Sequence, residues 1–123
     1  MNENSRRVLV VEDDPVIRML IVATLKDAGH DVLEAGSGLE ALSLMEARDQ
    51  VDLLLTDLNM PDPDGAEVAT RARAHDPQVP VLFVTGRPDL LAVRRPPRPY
   101  RHLTKPFRMT EISATVEEML NRP

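Results

Sequence analysis

A chain of 123 residues, 42% hydrophobic and 28% charged, is long enough for one hydrophobic core and short for two domains. Its net charge of −5 argues against non-specific nucleic-acid binding, and the lack of cysteine removes disulfides, thiolate chemistry and Cys-ligated zinc. No apolar run approaches the roughly 20 residues that span a bilayer, and Met1 to Arg7 lacks the apolar core of a signal peptide, so the expected location is the cytoplasm.

Apolar runs alternate with helical patterns along the chain. Val8 to Val11 reads as a buried strand. Pro15 to Ala28 reads as a helix, with Asp14 as N-cap and Pro15 at the first helical position. Ile17, Leu20, Ile21, Leu25 and Ala28 form its expected core stripe, and Gly29 ends it. Val16, Met19 and Val22 are apolar residues left outside that stripe. Asp31 to Ala35 is a short second strand. Ser37-Gly-Leu-Glu40 matches a capping box opening a helix that runs to about Arg48.

Val51 to Thr56 is the third strand, and Asp57 stands at its end. Asp64 caps a helix running to about His75, closed by Asp76-Pro77. Val79 to Val84 is the fourth strand, with Pro80 suited to its start. Pro88, Pro96, Pro97 and Pro99 then limit any helix to about two turns between Asp89 and Arg95. Arg101 to Thr104 is a short fifth strand, and Met109 to Asn121 a final amphipathic helix with Ile112, Val116, Met119 and Leu120 on one side.

Strands alternating with helices imply a parallel sheet covered on both faces, with right-handed crossovers. Ligands of such sheets sit outside the carboxyl ends of the strands. Glu12 and Asp13 follow strand one, Asp57 ends strand three, Thr85 ends strand four, and Lys105 follows strand five. All five residues are expected at one edge.

Converging carboxylates repel one another, and a hard divalent cation relieves that repulsion. Mg²⁺ takes oxygen ligands and keeps several waters; Mn²⁺ is the substitute. Asp13 and Asp57 are the expected direct ligands, Glu12 holds a metal-bound water, and the Asn59 carbonyl completes the set. Asp14 is assigned to capping. An aspartate can also be the nucleophile in phosphoryl transfer. The transition state is loose, so positioning and charge neutralisation do most of the catalysis. Lys105 fits that role opposite the cation, and Thr85 offers a hydroxyl donor.

Asp-x-x-Met-Pro-x-x-Asp-Gly from Asp57 to Gly65, with Lys-Pro-Phe from Lys105 to Phe107 and the acids Glu12 and Asp13, resembles the two-component response-regulator receiver domain. The match covers about Arg7 to Asn121, giving a tail over residues 1–6 and a receiver domain over 7–121. The resemblance implies a flavodoxin-like (βα)5 α/β fold, a doubly wound parallel five-stranded sheet of order 2-1-3-4-5, here with a short or irregular fourth helix. It implies phosphotransfer to Asp57 from a sensor histidine kinase or histidine phosphotransfer protein, a population shift that draws in Thr85, and signalling by changed protein contacts or onward phosphotransfer. No nucleic-acid or membrane partner is expected.

The chain departs from the family pattern in two places. The switch position that is normally aromatic holds His102, and Tyr100, two residues earlier, is expected on the same face. Either substitutes for it, or the aromatic step is missing. The helix-four region is basic, with Arg87, Arg94, Arg95, Arg98 and Arg101, and reads as a solvated loop or as a docking surface for an acidic partner. Phe83-Val-Thr-Gly86 resembles a subgroup of single-domain receivers with Phe-x-Thr-Gly there. Helix one resembles the kinase-docking helix of the family.

Met1 and a complete fifth helix suggest a whole gene product rather than part of a hybrid protein. Two other functions compete with the receiver reading. One is a phosphorylation-independent binding module, disfavoured by the intact acids and Lys105. The other is a phosphatase turning over through an aspartyl phosphate, disfavoured because Asn59 stands where such enzymes place a second acid.

Overall fold

The computed structural model describes residues 6–47 and 50–121. Five strands alternate with five helices: β1 Arg7–Val11, α1 Pro15–Asp27, β2 Asp31–Ala35, α2 Gly38–Ala47, β3 Leu53–Asp57, α3 Gly65–His75, β4 Val81–Thr85, α4 Leu90–Arg94, β5 Arg101–Thr104 and α5 Met109–Leu120. The strands form one parallel sheet in the order β2-β1-β3-β4-β5. This is the flavodoxin-like arrangement expected from the sequence. Among the described residues no helix is long and apolar enough to cross a membrane.

The strand pleat sorts the apolar side chains between two cores. Val8, Val10, Leu53, Leu55, Leu82 and Val84 meet α1 and α5 through Ile21, Val22, Leu25, Ile112, Val116 and Met119. Their neighbours Leu9, Val11, Leu54, Val81 and Phe83 face the opposite side, where Ala41 of α2, Val68 and Ala69 of α3 and Leu91 of α4 cover them. Both faces of the central strands are therefore dry, which is why β1, β3 and β4 read as continuous apolar runs.

Local chemistry sets the element ends. Asp14 Oδ1 accepts from the Val16 and Ile17 amides at 2.9 and 3.2 Å and caps α1. Ser37 Oγ accepts from the Glu40 amide at 3.1 Å, but Glu40 reaches back to the amide of Gly36 rather than to that of Ser37. Asp64 Oδ1 caps α3 through the Glu67 amide at 3.0 Å. The expected end of α2 at Arg48 lies outside the described residues.

Three expectations need correction. β3 begins at Leu53 rather than Val51, because the Asp52 carboxylate takes the Arg7 amide at 2.8 Å and ends the ladder there. β4 begins at Val81, after Pro80 and not before it. On α1 the core stripe runs through Ile21, Val22 and Leu25, whereas Leu20 is 45% exposed and Ala28 is also exposed. Val22 belongs to the core, and the outward apolar residues are Val16, Met19 and Leu20.

α4 has five residues, barely more than one turn. Arg95 stops it in the left-handed region at φ 46, ahead of Pro96, where a right-handed conformation is sterically disfavoured. The proline segment that follows is held by Arg73 of α3, which donates to the carbonyls of Val79, Pro97 and Pro99. β5 is one of the two edge strands, with β2 at the other edge, and is four residues long between Pro99 and Pro106.

Candidate functional site

The parallel order brings the carboxyl ends of β1, β3, β4 and β5 to one edge, and with them the residues expected there. Glu12 and Asp13 follow β1, Asp57 is the last residue of β3, Thr85 the last of β4, and Lys105 the first after β5. Carboxylate oxygens of Glu12, Asp13 and Asp57 lie within 4.8 Å of one another. Glu12 and Asp57 are buried, and Asp13 is exposed at the mouth.

Asp57 is held from two sides. Its Oδ1 accepts from the Asn59 amide at 3.0 Å, and its Oδ2 from the Lys105 ammonium at 3.0 Å. The same ammonium stands 3.0 Å from Glu12 Oε1, an ion pair whose direction is poor for a hydrogen bond. Glu12 Oε2 accepts from the Asp14 amide at 3.1 Å, and the Glu12 carbonyl accepts from Arg18 Nη1 at 2.8 Å. Asp14 thus serves as the cap of α1 and steadies Glu12 through its backbone.

The electrostatics follow from burial. Desolvation raises the Glu12 carboxyl to about 7, and the Asp57 charge adds to the rise; the Asp14 amide and Lys105 oppose it. Burial would lower the Lys105 ammonium, but its pairing with the Glu12 and Asp57 carboxylates outweighs this and raises it. Lys105 therefore pairs with two acids, Glu12 and Asp57, while Asp13 adds a third carboxylate to the cluster, and all the possible ligand atoms are oxygen. That set fits a hard dication such as Mg²⁺.

The buried Thr85 hydroxyl accepts the Arg87 amide at 2.8 Å, and the Thr85 carbonyl accepts from the Lys105 amide at 2.8 Å. His102 and Tyr100 fall on the Phe83 side of the sheet but differ in burial. Tyr100 is half-buried and meets Phe83 edge-on, with ring centroids 5.3 Å apart at 75°. His102 pairs with Phe83 in the strand register, but its side chain is exposed.

The basic run is not uniformly solvated. Arg87 pairs with Asp89, and Arg101 with Glu118. Arg94 turns inward onto Leu58, Asn59 and Asp64. Nothing in the sequence pattern singles out Arg94 from its neighbours, because a guanidinium on a one-turn helix has no periodic partner.

A family model for the response regulator receiver domain matches residues 8–117. Among curated proteins, the response regulator receiver protein CpdR of Brucella abortus (strain 2308) is 36% identical over 121 residues, covering 94% of this chain and 97% of CpdR. The sensor kinase CckA of the same organism is also 36% identical over 121 residues, covering 96% of this chain but only 13% of the kinase. Among solved structures, a response regulator receiver protein from Sinorhizobium medicae WSM419 superposes with a TM-score of 0.88 at 27% identity, covering 98% of each chain.

Proposed function

Because this chain belongs to the response regulator receiver family, we propose that it accepts a phosphoryl group on Asp57 and signals through the changed surface that results. The observation that carries the reading is the Lys105 ammonium 3.0 Å from Asp57 Oδ2, inside a trio of acids at the sheet edge. The donor is a phosphohistidine of a sensor histidine kinase or phosphotransfer protein. An Asp57 carboxylate oxygen forms the new O–P bond, the donor N–P bond breaks, and the imidazole leaves with the electron pair and takes a proton.

Each residue has a distinct part. Lys105 neutralises charge on the phosphoryl oxygens, and Thr85 exchanges its backbone partner for one of them. The Asn59 amide keeps the acceptor oriented. Asp13 and Asp57 would hold Mg²⁺ or Mn²⁺ directly, Glu12 through a water, and Asn59 through its carbonyl. A cation there supplies further neutralisation of the acids and of the phosphoryl group. Chemistry on this reading is confined to the chain's own phosphorylation and dephosphorylation, in the cytoplasm. Exposed Val16, Met19 and Leu20 on α1 suit docking of the donor's helices.

The test is phosphorylation by a small phosphodonor with Mg²⁺, on wild type and Asp57→Ala. Label on the wild type alone is the expected result. No label on a folded wild type would leave a binding module that keeps only the fold, and multiple turnover of organic phosphates would make the chain a phosphatase.

A further inference from the structure

We propose that Arg94 is the positioning residue through which α4 follows the state of Asp57. The inference rests on Asp57 being the phosphoryl acceptor. α4 reads Leu-Leu-Ala-Val-Arg, so Arg94 is its one residue with a polar side chain. That side chain spans three acceptors on the segment that follows Asp57. Nη1 donates to Asp64 Oδ2 at 2.8 Å and to the Leu58 carbonyl at 3.2 Å, and Nη2 donates to Asn59 Oδ1 at 3.3 Å.

Those acceptors are tied to the site itself. Leu58 and Asn59 follow Asp57 directly, and the Asn59 amide holds Asp57 Oδ1 at 3.0 Å. Asp64 divides its carboxylate, with Oδ1 on the first turn of α3 and Oδ2 on Arg94. Arg94 and Asp64 are about three-quarters shielded, with side-chain exposures of 27% and 26%, so their charge-assisted bond is screened less than a surface pair. A planar guanidinium fixes direction as well as distance at several acceptors, which an ammonium cannot do.

A phosphoryl group on Asp57 adds negative charge and draws on the Asn59 amide and Lys105. Any displacement of the Asn59 peptide moves two of the acceptors that Arg94 grips, Leu58 O and Asn59 Oδ1. α4 has no other polar side chain with which to resist or ignore that movement. His102, exposed on β5, makes no side-chain hydrogen bond among the described residues and offers no comparable route.

The experiment is amide hydrogen exchange with and without beryllofluoride plus Mg²⁺, on wild type, Arg94→Gln, Arg94→Lys and His102→Ala. The wild type is expected to change protection at residues 57–59 and at residues 90–95. Arg94→Gln is expected to keep the first response and lose the second, with α4 amides exchanging about tenfold faster even without the mimic. Arg94→Lys keeps the charge and guards against a folding defect; it is expected to retain less than about half of the α4 response. His102→Ala is expected to behave as wild type. An α4 response that survives in Arg94→Gln, that is absent in the wild type, or that disappears only in His102→Ala overturns the proposal. Silence at residues 57–59 in the wild type overturns the reading of Asp57 itself.

Discussion

Gly65 lies so close beneath Asp57 that a Cβ on it would overlap the Asp57 carbonyl oxygen and stand 2.8 Å from Leu58 Cα. The obstacle is backbone, which cannot swing aside as a side chain can. The glycine is needed for space, since its φ is not in the left-handed region. This approach lets α3 begin directly under Asp57, with the Gly65 amide donating to the Leu58 carbonyl at 3.1 Å.

Gly65→Ala should therefore destabilise the fold by at least about 2 kcal/mol, despite the better helix propensity of alanine. Urea unfolding would show a lower midpoint with an unchanged slope. A midpoint equal to the wild type would mean that the loop has room the geometry denies.

Glu12 makes stability depend on pH in an unusual direction. Its carboxyl titrates at about 7 when folded against an ordinary 4.5, so between these values the folded state binds the extra proton. Stability then falls as pH rises through that window, by up to about 3 kcal/mol in all. Unfolding in chelator at pH 5 and pH 8 measures this, and Glu12→Gln should flatten the slope. A wild type whose stability rises steadily from pH 5 to 8 would contradict the assignment.

Asp13 is exposed, so it contributes charge to the site without supporting the core. Asp13→Asn should weaken Mg²⁺ binding by about tenfold or more while leaving the stability of the metal-free chain within about 0.5 kcal/mol. Titration calorimetry with Mg²⁺ reads the first effect, and unchanged affinity would remove Asp13 from the ligand set.

Tyr100 and His102 should differ sharply. Tyr100→Ala removes a half-buried ring and its edge contact with Phe83, at a cost of about 2 kcal/mol. His102→Ala should change stability by less than about 0.5 kcal/mol. It should also alter binding to a partner less than Thr85→Ala does. The opposite ranking in either measurement would place the switch on His102.

The alternation of strands and helices and the residues at the sheet edge were legible because they depend on strong signals: apolar runs of strand length, cap residues and the placement of acids after strands. The strand order came only with the family resemblance carried by Asp57 to Gly65 and Lys105 to Phe107. The capping residues Asp14 and Asp64 were legible for the same local reason. Which arc of α1 faces the core was not. Leu20 and Val22 flank that arc, and composition alone does not choose between them; the packing of α1 against β1, β2 and α5 decides for Val22. Arg94 and Arg73 were illegible because each reaches backbone carbonyls distant in sequence, Leu58 for Arg94 and Pro97 and Pro99 for Arg73, and a lone arginine on a helix gives no sign of a tertiary partner. The difference in burial between Tyr100 and His102 was not legible, since alternation places both on one face and only the packing of Tyr100 on Phe83 distinguishes them.

An outermost parallel strand presents unpaired amides and carbonyls, an invitation to strand addition by a neighbouring molecule. β5 offers only four residues for such pairing, and Pro99 and Pro106 bound them without an N–H to give. Arg101 places a cation along the same margin. The proline-rich stretch that shortens α4 thereby also guards this one edge of the sheet against strand addition.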